Sequence, residues 1–339
     1  MKITGKHDFF PTNKLKIRDN CQLTTNKKMK QTTNSILMIR PVAFRMNEQT
    51  AVNNYYQKVL DELTPENVNA KAQEEFDTFV QKLKMVGVDV TVVDDTKNPD
   101  TPDSIFPNNW ISFHENGDVA LYPMFAENRR AERREDILDL LEEKGFKLND
   151  IVDYTSAEED DIFLEGTGSL LLDRANGKAY CALSARADEE LMIEFCEDFD
   201  MGPVIFEAYQ TVDGERKLIY HTNVMMCLGE TFVVICADCI DDKSERKQVL
   251  KSLKDDGKEI ILITEDQVNN FAGNMLQLKG SEDKSYLIMS KSAHESLTPE
   301  QIEKLEKHAT ILSSSLDTIE ACGGGSARCM MAEIFLPKK

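Results

Sequence analysis

No apolar run in this chain of 339 residues approaches the roughly 20 residues that a membrane-spanning helix needs. Positive charge is also short. Forty lysines and arginines stand against 60 acids, a net charge of −20. A polyanion such as a nucleic acid would be repelled, although a small site can still be locally positive. Cysteine is present without a metal-binding pattern. The only C-x-x-C, Cys236-Ala237-Asp238-Cys239, ends a strand-like run and has no partner pair and no nearby histidines. That argues against a zinc knuckle and for a reduced, cytoplasmic chain. Residues 1–34 carry few acids and lack the apolar segment of a secretory signal. A disordered basic tail is expected there, or an over-long start with Met29 or Met38 as alternative beginnings.

From residue 35 onward the chain repeats one grammar. Ser35 to Arg40 predicts a buried strand stopped by Pro41. Asn53 to Leu60 and Pro65 to Val86 read as helices, the second with apolar spacing near 3.6 residues, and Val88 to Val93 as a strand. Trp110 to His114 and Val119 to Tyr122 form a hairpin around Asn116-Gly117. A helix over Arg130 to Lys144 follows. The pattern returns in the hairpin around Asn176-Gly177, the helix Asp188 to Phe199 and the strand at Val204. Strand-like runs at Thr222 to Leu228 and Thr231 to Cys236 lead to a helix over Asp241 to Asp256 and a strand at Ile260. Asn274 to Leu278, Tyr286 to Ser290, the helix Pro299 to Lys307 and a last strand at Ala332 complete it. A hairpin, helix and strand thus recur four or five times at intervals of roughly 50 to 60 residues, which points to radial repetition. A three-layer α/β sheet is the alternative, but hairpins interrupt too often for a purely parallel sheet. No linker divides residues 35–339, so one α/β domain is expected.

Polar residues gather at the junctions between units, which a radial fold would bring together on its axis. The last junction is Cys322-Gly323-Gly324-Gly325-Ser326-Ala327-Arg328-Cys329. Glycines let backbone N–H groups approach a small ligand, and an adjacent arginine would favour a thiolate. Cys329 therefore reads as a nucleophile beside an oxyanion-binding loop, or else as a buried structural cysteine after a glycine turn. The other junctions are Pro102-Asp103-Ser104-Ile105-Phe106-Pro107-Asn108-Asn109-Trp110, Phe163-Leu164-Glu165-Gly166-Thr167-Gly168-Ser169 and Tyr220-His221-Thr222-Asn223. Singly, Asp103 reads as a turn cap, Glu165 as a bulge residue and His221 as a core histidine. Together they supply a nucleophile, an acid/base, a carboxylate to orient the imidazole and groups to grip a substrate.

In this order the four segments resemble the guanidino-group-modifying enzymes, the pentein or amidinotransferase superfamily, over roughly residues 35 to 339. The resemblance implies a five-bladed pseudosymmetric α/β propeller. The branch most similar is that of the citrulline-utilisation hydrolases, through Phe106-Pro107-Asn108-Asn109-Trp110, Tyr122-Pro123-Met124, Asn128-Arg129-Arg130 and the Cys329 loop. It implies Cys329 as nucleophile, His221 as general acid/base, Glu165 as its partner and Asp103 as a substrate contact. Arg129 and Arg186 resemble the arginines that bind a substrate α-carboxylate, with Arg130 or Arg134 as alternatives for the first. The run Arg129 to Glu135 also reads as a solvated, ion-paired helix face. No metal or organic cofactor is implied, and a homo-oligomer is left open.

The chain departs from the arginine deiminases at two places. Where those enzymes carry acids after the first motif's phenylalanine and two residues after the histidine, this chain has Asn109, beside Asn108, and Asn223. A buried guanidinium without anionic partners costs several kcal/mol. A neutral ureido oxygen instead wants an N–H donor, which a carboxamide supplies. The expected reaction is cleavage of citrulline to ornithine, carbon dioxide and ammonia through an S-carbamoyl intermediate. The competing readings are deiminase, dimethylarginine hydrolase or amidinotransferase activity on a guanidino substrate, and a non-catalytic amino-acid-binding member.

Overall fold

The computed structural model describes residues 29–60 and 62–339. Five three-stranded sheets share one topology: the first strand lies antiparallel to the second, and the second parallel to the third. In chain order, four of them are Ile111–Phe113, Val119–Leu121 and Ile151–Asp153; Leu170–Asp173, Lys178–Leu183 and Gly202–Glu207; Met226–Leu228, Phe232–Ile235 and Glu259–Leu262; and Leu276–Lys279, Ser285–Ser290 and Thr310–Ser314. The fifth combines the ends of the described chain. Ala332–Glu333 pairs with Ser35–Arg40, placing Leu37 opposite Ala332, and Ser35–Arg40 runs parallel to Asp89–Asp94. The architecture is a mixed α/β fold.

A helix crosses from the second to the third strand of every sheet, as a parallel pair requires. The first, Pro65–Met85, begins where Thr64 caps it and proline occupies its first turn. Its 3.6-residue spacing buries Val68, Ala72, Phe76, Phe79, Val80 and Leu83 in one stripe. Glu135–Glu143, Glu189–Asp198, Lys243–Asp255 and Pro299–Glu306 play the same part. Asp188, Asp242 and Thr298 cap the last three of these with their side chains.

Each sheet's first strand is preceded by a tight turn, and the five turns touch in succession. Pro107–Asn109 packs on Gly166–Ser169, which packs on Thr222–Met225. Asn274, after the turn at residues 269–273, donates from Nδ2 to the Asn223 carbonyl at 3.0 Å, and its Oδ1 accepts the Arg328 backbone N–H at 3.0 Å. The last turn, Ala327–Met330, packs back on Pro107–Asn109. Glycine permits the close approach. A Cβ on Gly273 would lie 2.3 Å from the Val224 carbonyl oxygen, and one on Gly166, at φ +44°, would lie 2.4 Å from that of Asn108.

Several expectations are corrected. Asn53 to Leu60 is irregular, with only Glu48–Ala51 helical before it. Asn53 and Asn54 spend their side chains on Arg186 and on the carbonyls of Gly323 and Gly324 instead, the competition that makes asparagine a poor helix residue. The helix over Arg130 to Lys144 is split into Glu127–Arg130 and Glu135–Glu143, because Arg129 turns inward to Glu132 and to interior carbonyls. Thr222 to Leu228 opens as a helical turn before its strand, since the Thr222 hydroxyl donates to the Ser169 carbonyl and accepts the Ala182 N–H. The hairpin Tyr209–Val212 with Glu215–Leu218, around Asp213-Gly214, the strands Ile151–Asp153 and Thr310–Ser314, and the helix Asp317–Gly323 went unread in the sequence. Residues 29–34 are not a loose tail: Gln31 donates to the Leu172 carbonyl and Thr33 to that of Ile334. The rest of the expected tail lies outside the described residues.

Gly273→Ala should destabilise the fold by roughly 1–3 kcal/mol, because a backbone atom and not a flexible side chain must move. Chemical denaturation would read this as a lower midpoint with an unchanged slope.

Candidate active site

Three of the five turns and their flanks, those at Pro107–Asn109, Thr222–Met225 and Ala327–Met330, deliver side chains to one cavity of about 250 Å³, whose lining includes Asp103, Asn109, Arg129, Arg186, His221 and Cys329. Thr50, from the short helix Glu48–Ala51, and Asn54, from the irregular stretch after it, also line the cavity.

His221 and Glu165 form its buried pair. His221 Nε2 lies 2.8 Å from Glu165 Oε2. A carboxylate only accepts, so Nε2 carries the proton and Nδ1 is left basic. Burial alone would raise the Glu165 pKa, but Arg186, His221 and Arg129 outweigh it and hold the carboxyl well below the usual range. Arg186 approaches to 3.4 Å and Arg129 to 3.9 Å, and the Phe125 N–H donates at 3.1 Å. For His221 burial prevails over Glu165 and pushes the pKa down to about 4. The imidazole is neutral at pH 7.

Cys329 lies in the turn Ala327–Met330, buried, and its Sγ receives Asn274 Nδ2 at 3.2 Å and Asn223 Nδ2 at 3.6 Å. Arg328 does not serve the sulfur as expected. Its guanidinium donates to the Met331 carbonyl and to Glu333. The glycine loop is braced by Tyr220 Oη, 2.6 Å from the Gly324 carbonyl, by Asn54, and by Ser326, whose hydroxyl donates to Glu320 at 2.6 Å.

Asp103 and Asn109 face the same cavity with opposite chemistry. Asp103 Oδ2 accepts from Asn47 Nδ2 at 2.8 Å and from Thr50 Oγ1 at 3.0 Å, while Oδ1 is buried without a partner. Asn109 Oδ1 accepts from Arg129 at 2.8 Å, which fixes the amide and leaves Nδ2 buried and unpartnered. The site thus offers one spare acceptor and one spare donor.

Arg129 grips Glu132 with two bonds, of 2.8 and 2.9 Å. Arg186 lies 4.9 Å from the Tyr220 ring centroid and donates to the Thr50 carbonyl at 2.8 Å and to Asn53 Oδ1 at 2.9 Å. Arg130 and Arg134 turn instead to Glu158 and Asp136, so of that cluster only Arg129 reaches the cavity. Asn108 and Asn223 stand behind the lining, both bonded to Thr167. Asn274 was missed in the sequence. The repeat itself held the signal, because Asn274 occupies the one junction of five that the motif reading skipped. Among the described residues no cluster of histidine, cysteine or acid side chains suits a metal ion, and no helix is long and apolar enough to cross a membrane.

Two outcomes follow from this burial. Glu165→Gln leaves two buried guanidiniums without their shared anion and should cost about 3–5 kcal/mol in denaturant unfolding. His221 also makes stability pH-dependent. Its folded pKa of about 4 lies below the ordinary 6.5, so between those values the unfolded chain binds a proton that the folded chain refuses. Stability should fall as pH is lowered through that window, by up to about 1.4 kcal/mol per unit. In His221→Asn the slope should be shallower by that amount.

Comparison with known proteins bears on the family and the fold. A family model described as N,N dimethylarginine dimethylhydrolase, eukaryotic, matches residues 40–336. No curated protein matches significantly. Among solved structures, the apo arginine dihydrolase ArgZ from the ornithine-ammonia cycle in Cyanobacteria aligns with a TM-score of 0.66 at 19% identity, over 90% of this chain and 41% of that one. This chain therefore spans about two fifths of that relative. The isolated N-terminal domain of ArgZ, bound to product, aligns at 0.66 and 20% identity, over 89% of this chain and 99% of that domain. A dimethylarginine dimethylaminohydrolase variant carrying an adduct with S-methyl-L-thiocitrulline aligns at 0.56 and 14% identity, over 89% of this chain and 100% of its own. At such identities these likenesses speak to the fold, and the family model supplies the kinship: the chain belongs to the dimethylarginine dimethylhydrolase family of the pentein, guanidino-modifying superfamily.

Proposed function

We propose that this protein is a cysteine hydrolase that cleaves the ureido C–N bond of citrulline, giving ornithine, carbon dioxide and ammonia. The observation that carries the reading is the fixed amide of Asn109. With Oδ1 committed to Arg129, its free group is a donor. The free atom of Asp103, in the same lining, is an acceptor. A ureido headgroup has both a carbonyl oxygen and an NH2 and satisfies both. A guanidinium has only donors and would leave Asn109 Nδ2 unpaired.

In the reaction, His221 Nδ1 takes the Cys329 thiol proton and the sulfur attacks the ureido carbon. The carbonyl π pair moves onto oxygen, where Asn109 and backbone N–H groups of the Gly324–Ser326 loop receive it. Collapse expels the δ-nitrogen, which takes the proton from the imidazolium and departs in ornithine. Water then attacks the S-carbamoyl carbon while His221 removes its proton. The thiolate leaves, and the carbamate breaks down to carbon dioxide and ammonia. Glu165 holds the imidazole in the required tautomer. Arg186 takes the substrate α-carboxylate in place of its present partners Asn53 and Thr50, and Arg129 keeps Asn109 oriented. The scheme uses no metal or organic cofactor. We read the five sheets as blades of a five-bladed α/β propeller formed by residues 35–339, with the turns around its axis, and place the enzyme in the cytoplasm.

A second reading, hydrolysis of arginine or a methylated arginine, draws on the free carboxylate oxygen of Asp103 and on the arginine dihydrolase named among the similar structures.

Turnover of citrulline, arginine and methylated arginines, scored by product mass, separates the two. Citrulline should be the preferred substrate, yielding ornithine, and Cys329→Ala should abolish its turnover. Asn109→Asp should lower kcat/KM for citrulline by roughly 100-fold or more while improving arginine relative to it. Ready turnover of arginine with citrulline ignored would overturn the reading.

A further inference from the structure

We propose that Asn274 is a catalytic residue, an amide donor that steadies negative charge on the Cys329 sulfur. This deepens the reading of Cys329 as the nucleophile and rests on it. Asn274 Nδ2 lies 3.2 Å from Cys329 Sγ. Both ends of its amide are fixed. Oδ1 accepts the Arg328 backbone N–H at 3.0 Å, and Nδ2 also donates to the Asn223 carbonyl at 3.0 Å. The donor end therefore faces the sulfur by necessity. Asn223 adds a longer contact of 3.6 Å from its own Nδ2. Gly273 makes this placement geometrically open, since any side chain there would strike the Val224 carbonyl.

The surroundings leave this task to neutral groups. The Arg328 side chain, next in sequence, is turned away onto Met331 and Glu333. Arg186 and Arg129 share the cavity but are engaged with Glu165, Asn53 and Glu132. The remaining titratable groups on the lining are His221, Asp103 and Tyr220, and the aspartate opposes a thiolate. Carboxamides beside the sulfur supply hydrogen bonds without a fixed positive charge. Such donors stabilise the thiolate twice in the cycle: when His221 takes the thiol proton, and when sulfur leaves the S-carbamoyl group. A cation would do so more strongly, but a sulfur held too firmly as an anion is a poorer nucleophile.

Asn274→Asp tests this directly. It keeps the shape and the acceptor for the Arg328 N–H, and it replaces the donor with a carboxylate. Iodoacetamide labelling would be followed on the Cys329 peptide by mass spectrometry across pH, because the other cysteines also carry thiols. At pH 7 the labelling rate should fall by roughly tenfold or more, the scale of one hydrogen bond to a charged group. The pH at which labelling reaches half its plateau should rise by about one unit. The loss in turnover should fall on kcat rather than KM. If Asn274→Asp does not fold, Asn274→Ser and Asn274→Ala should show the same upward displacement in smaller measure. Folded variants that label like the native protein at every pH would overturn the assignment. Labelling needs no ureido substrate, so a displaced profile in an enzyme that ignores citrulline would uphold Asn274 while removing the substrate reading.

Discussion

Glu165 is fully buried, and its charge is tolerated only because His221 Nε2, Arg186 and Arg129 approach it at 2.8, 3.4 and 3.9 Å. The dependence runs both ways. Two guanidiniums with almost no solvent contact would each be costly alone. The same carboxylate fixes which imidazole nitrogen holds the proton. Arg129, held by two bonds to Glu132 and lying 3.9 Å from Glu165, in turn fixes the Asn109 amide through its Oδ1. One anion thus fixes the imidazole tautomer and supports both cations.

That constellation exists because five turns meet. Each sheet's outer strands and crossing helix make an ordinary α/β unit, whose burial is shared among apolar faces. The turns at the units' inner ends carry polar side chains that satisfy one another across unit boundaries, Asn274 to Asn223 and to Arg328, Asn108 and Asn223 to Thr167. Pairing of Ala332–Glu333 with Ser35–Arg40 joins the two ends of the described chain in one sheet. A polar interior of this kind is stable only when nearly all of its groups are bonded. Four atoms around the first turn are exceptions, Asp103 Oδ1, Asn108 Oδ1, Asn109 Nδ2 and Trp110 Nε1, and of these residues Asp103 and Asn109 line the cavity.

The repeat was legible in the sequence because hairpin turns such as Asn116-Gly117 and Asn176-Gly177, and capped amphipathic helices such as Pro65–Met85, are local signals. The four motif-bearing junctions were legible for the same reason. Elements set by distant partners were not. Asn53 and Asn54 look helical until Arg186 and the glycine loop claim their side chains. Arg129 looks like a helix-face residue until Glu132 and the interior carbonyls draw it inward. The strand Thr310–Ser314 is only half-buried, with an exposed threonine at its start, and gave little alternation to read. Asn274 lay in a junction without a recognisable motif, and only its contact with Cys329 shows what it can do.

Charge matching between the pocket and its headgroup is most directly visible in a crystal structure of Cys329→Ala soaked with citrulline. The ureido oxygen should lie within hydrogen-bond distance of Asn109 Nδ2 and the ureido NH2 on Asp103 Oδ1, with the α-carboxylate at Arg186. A bound citrulline that leaves Asn109 Nδ2 unpartnered, or that turns its headgroup away from this pair, would contradict the account.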